Sequence, residues 1–200
     1  MDQSFRVARP AAAAAAIALF AHYALHVAHG LQTGNVLWDA MGSPLGRIDG
    51  PVFTAFYLGA GTALLGVAAG LGRRQRVLSA VGASLAVFSL AAAVIGGASF
   101  LTGHMVPFAM PAATLSQFLG AILLAVASLR SDALPRRTAV VLSLCGLVPI
   151  PLGMVLPALG GDLPAWVLFE AHFVGVGALW LMVAAGLRRA EDLPLQVGPV

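Results

Sequence analysis

At 200 residues, 60% hydrophobic and only 10% charged, the chain carries less than half the charge of a soluble domain, in which about a quarter of residues are charged. A mean hydropathy of +0.92 without period-two alternation predicts an all-α polytopic membrane protein and excludes a barrel, since helices satisfy their own backbone in hydrocarbon. The basic residues are all arginine, and ten of the 11 lie in four clusters at predicted helix ends. That is the pattern of orientation signals and not of a nucleic-acid-binding face.

In chain order, Arg6 and Arg9 precede the alanine run 11–16, and the apolar stretch continues to Gly30. It resembles the start of a signal peptide but is long enough to cross, so a retained first span is predicted over about 11–30. Residues 31–50 form the one long polar connection, with Trp38 as an interfacial anchor and Asp39, Arg47 and Asp49 as a solvated loop. A second span follows over about 51–72 and ends at Arg73, Arg74 and Arg76. The uncharged stretch 77–129 is too long for one crossing and is divided at Gly103-His104, giving spans near 77–102 and 107–129. Two more are predicted over about 138–158 and 165–187, the last closed by Arg188 and Arg189.

Six spans in one domain, 1–189, with a tail at 190–200, place every arginine cluster on one side. By the positive-inside rule both termini are cytoplasmic in a bacterial-type inner membrane, and the loops at 31–50, 103–106 and 159–164 are outside. A weak repeat groups the spans as three hairpins: the even spans read Gly61-Thr-Ala-Leu-Leu65, Gly120-Ala-Ile-Leu-Leu124 and Gly177-Ala-Leu-Trp-Leu181. Where the third hairpin has Glu170 and His172, the second has Ala113 and Leu115 and the first has Thr54 and Phe56. The ionisable pair is therefore not explained by the repeat.

Three of the five histidines, His22, His26 and His29, fall on one stripe of the first span, because spacings of four and three return to the same helix face. An ionisable group in a span costs roughly 2.5–3.5 kcal/mol at the helix centre, so each requires a partner. Glu170, the one formal charge clearly inside a predicted span, lies about 8–9 Å from the outer end, between His26 at about 6 Å and His22 at about 12 Å. Cys145 falls inside a predicted span, so disulfides and cysteine-based metal sites are excluded.

This constellation predicts an outward-facing pocket between the first and last spans. His22, His26, His29 and Glu170 are candidate ligands for zinc, iron or copper. A non-covalent haem b, held by His172 and a histidine of the first span, is the related possibility, since CxxCH is absent. The alternative is a membrane-embedded enzyme acting on a lipid or isoprenoid, a cyclase or hydrolase with Glu170 and His26 as acid and base. Tyr57, Gln117, Trp166, Phe169 and Phe173 would line its cavity. Proton or solute passage, and a scaffold or accessory subunit without catalysis, complete the candidates.

Overall fold

The computed structural model describes residues 3–37, 43–102, 106–159, 163–168 and 171–191, and among these every regular element is helical. The helices are α1 Gln3–Thr33, α2 Pro44–Leu71, α3 Arg76–Thr102, α4 Ala109–Ser131, α5 Arg136–Leu147, α6 Pro149–Leu159, α7 Ala165–Leu168 and α8 His172–Glu191, with a 3₁₀ turn at Gly72–Gln75 between α2 and α3. Five stretches, α1 to α4 and Trp166–Ala190, are long and apolar enough to cross a membrane. The bent pair α5 and α6 makes a sixth if it counts as one crossing, with 50° between its halves. Proline explains the break: Pro149 and Pro151 offer no N–H to the carbonyls of Cys145 and Leu147, so the ladder fails there.

Each long helix packs on the next in sequence, and α8 closes the ring against α1 and α5, while α2 also reaches α4. Helix α1 therefore lies against α8, while the Glu170 side of the pocket predicted between them falls outside the described residues. Hydroxyls tie neighbours together: Ser79 Oγ donates to the Ala68 carbonyl at 2.6 Å and Ser89 Oγ to the Ala113 carbonyl at 2.9 Å. Outside, large apolar side chains such as Val77, Leu101 and Met154 are more than 70% exposed, a surface suited to lipid contact and costly in water.

The α1–α2 seam positions the polar residues. Ala8, Ala12, Ala15, Leu19, His22 and His26, spaced alternately by four and three, are all at most 1% exposed. The histidines thus continue an alanine stripe that lets the two backbones approach. Gly59 of α2 fits that stripe because a Cβ there would stand 2.8 Å from the carbonyl oxygen of Ala11.

Candidate metal centre

The carboxylate brought to His22 and His26 is Asp49. Helix α2 begins at Pro44, seven residues before the predicted start at Pro51, because Ser43 caps it: its Oγ accepts from the Gly46 N–H at 3.1 Å. Proline at the first helical position suits such a start, its missing N–H being one that the first turn leaves unused. Asp49 is consequently inside a helix and wholly buried, not in a solvated loop.

Its two oxygens are divided between two imidazoles. Oδ1 lies 2.7 Å from His22 Nδ1 and Oδ2 lies 3.3 Å from His26 Nε2. The His22 ring is 4.4 Å from that of His26, stacks on Phe53 at 4.4 Å and meets Phe173 edge-on at 5.1 Å. Phe53 stands one turn after Asp49, so the same face of α2 supplies both the acid and the ring that fixes the imidazole. Imidazoles at hydrogen-bond distance and no exposure to solvent confine the carboxylate's charge to this group.

His22, His26 and Asp49 each offer one ligand atom, and the three atoms lie within 4.8 Å of one another. Bonds of about 2.0–2.1 Å in a tetrahedral site put donors roughly 3.4 Å apart. Donors within 4.8 Å of one another are close enough to converge on one ion only by moving toward that spacing, while the 2.7 Å contact itself is a hydrogen bond. Among the described residues no other set of histidine, cysteine and acidic side chains meets this condition.

The remaining predicted residues separate. His29 is buried at 6% exposure but outside the trio, and its carbonyl accepts from Thr33 Oγ1. Glu170 and Phe169 lie outside the described residues, as do Trp38, Asp39 and His104. His172 turns elsewhere: it packs on Phe173 with ring centroids 4.1 Å apart and lines a cavity of about 520 Å³. A haem between His22 and His172 finds no support in this geometry, because Phe173 packs on both rings and His22 is engaged by Asp49.

That cavity lies between α2, α4, α6 and α8, with Phe53, Tyr57, Phe118 and Phe173 among its walls. Tyr57 OH and Thr114 Oγ1, 2.6 Å apart, are its polar element besides His172. Of the predicted lining residues Tyr57 and Phe173 are in place. Trp166 instead covers Gly30 at the end of α1, where a Cβ would fall 2.2 Å from the indole. Gln117 is 1% exposed and absent from the lining, and neither of its amide atoms has a hydrogen-bond partner among the described residues.

Asp49 is the residue that sequence reasoning missed. The signal was Ser43-Pro44, an N-cap followed by N1 proline, which places Asp49 one and a half turns into a helix. Comparison with protein-family models, curated proteins and solved structures finds no match for this chain.

Proposed function

We propose that this multi-pass membrane protein binds a transition-metal ion between its first two spans, through His22, His26 and Asp49. The observation that carries the proposal is a wholly buried carboxylate shared by two histidines one helical turn apart. Two imidazoles and a carboxylate suit zinc, iron or copper, and three protein donors leave a position for water or substrate. Glu170, three residues before the Phe173 that touches His22, is the proposed candidate for that position where water or substrate does not take it. The arginine clusters favour six crossings with both termini cytoplasmic in a bacterial-type inner membrane, which sets the centre toward the outer face.

The test is metal analysis of purified protein after chelation and reloading. One tightly held ion per chain is expected, with loss in His22→Ala/His26→Ala and a rise in melting temperature on reloading that the variant lacks. At an ion concentration 100 times Kd the stabilisation would be about 2.7 kcal/mol. No retained ion and no metal-dependent shift would overturn the assignment.

The apolar cavity favours a second reading, a membrane-embedded enzyme that admits a lipid or isoprenoid, with Glu170 and His26 as its acid and base. Phe53 and Phe173 belong to both the cavity wall and the surroundings of His22, so a ligand there would sit one aromatic ring away. Gly153→Leu fills the cavity from α6. It should remove any co-purifying apolar ligand from the organic extract while leaving metal content unchanged. Equal lipid content in both proteins would count against this reading.

A further inference from the structure

At the end of the molecule where α1 starts and α8 finishes, a cleft of about 880 Å³ opens between these two helices. Its rim carries Arg6 and Arg9 from α1 and Arg188 and Arg189 from the last turn of α8, all exposed. One turn deeper than three of these lie Ala13, Ala184 and Ala185, so the floor beneath the guanidinium groups is made of methyls. Deeper still, the exposed side chains of Ile17 and Leu181 continue the same two helices as apolar surface.

We propose that this cleft is a binding site for an anionic phospholipid, with preference for a headgroup carrying two phosphodiesters. Charge and shape both select that occupant. Guanidinium forks hold phosphate oxygens in pairs, and basic clefts between spanning helices are suited to such headgroups. The alanine floor admits the glycerol, and the apolar surface beyond it accommodates acyl chains. Orientation alone would need arginines near the helix ends but not four of them around one small-residue cleft. The site is separate from the His22, His26 and Asp49 group, so either assignment can fail without the other.

The experiment is native mass spectrometry of the full chain titrated with three probes: a bis-phosphodiester lipid, phosphatidylcholine of matched chains, and inorganic phosphate. The bis-phosphodiester lipid should bind at least about tenfold tighter than phosphatidylcholine. Arg9→Gln/Arg188→Gln should remove that preference, whereas Arg130→Gln/Arg137→Gln, an equal loss of charge elsewhere, should preserve it. Arg9→Lys/Arg188→Lys, which keeps charge and orientation signals, should weaken the preference severalfold and serves if the glutamine variant does not fold. Glu191→Gln/Asp192→Asn should leave the preference intact or raise it. Equal binding of both lipids, equal loss in the two glutamine variants, or displacement by millimolar phosphate would overturn the proposal, the last by making the cleft a small-anion site.

Discussion

Asp49 can be a structural glue or a ligand, and magnitude separates the two. Polar contacts between helices in membranes average about 0.6 kcal/mol, with a maximum near 1.7. Asp49→Asn keeps volume and hydrogen-bonding capacity but removes the charge, so the unfolding free energy should fall by no more than about that amount. Metal affinity should fall much further, beyond the roughly 10–100-fold that loss of an outer partner costs. Competitive titration with a chelator reads the second effect and thermal unfolding the first; a stability loss with unchanged metal affinity would assign Asp49 to packing alone. Ligand nitrogens must be unprotonated to bind, so occupancy should also decline as the medium is acidified. The histidines were legible in the sequence because a four-then-three spacing has one geometric meaning on a helix. Their acid was not, because Asp49 sits among Gly, Pro and Arg47 in a stretch whose composition resembles a loop. Tertiary burial, not local composition, defines its environment.

At the level of elements, the centre depends on how closely α1 and α2 approach. Hydrophobic length predicted an all-helical chain with five or six helices apolar enough to cross, but the start of α2 and the break at Pro149 followed from capping and from missing N–H groups. Gly59 stands ten residues from Asp49, about 15 Å along the helix, yet it controls the same seam. In Gly59→Ala the added carbon would meet the Ala11 and Ala15 backbone at 2.8 Å, and backbone cannot rotate away as a side-chain end can. Helix separation of this kind costs about 1–3 kcal/mol and should pull both imidazoles off Asp49. Gly175→Ala is the matched control, since its new carbon meets only Leu152 Cδ1 at 3.8 Å. Metal stoichiometry should drop in the first variant and hold in the second. Equal retention would mean that the two histidines and the acid do not rely on this packing.

For the whole molecule, the arginine-rimmed cleft bears on how many times the chain crosses. Its walls come from the first turns of α1 and the last turns of α8, which puts the start of α1 and the end of α8 on one face of the bundle. A chain that starts and finishes on one face crosses an even number of times. The five long helices alone give an odd number, so α5 and α6 together are expected to form one crossing and not a loop that re-enters its own side. The 50° bend is compatible with that, because a proline break redirects a helix without returning the chain. The native Cys145 is buried, so introduced thiols can report alone. In intact cells Asn35→Cys should react with a membrane-impermeant thiol reagent, whereas Gln3→Cys and Gln196→Cys should react only after the membrane is opened. If Gln3→Cys and Gln196→Cys instead label on opposite sides, the bent pair does not cross, and if Gln3→Cys itself labels in intact cells, the outer placement of the histidine centre fails.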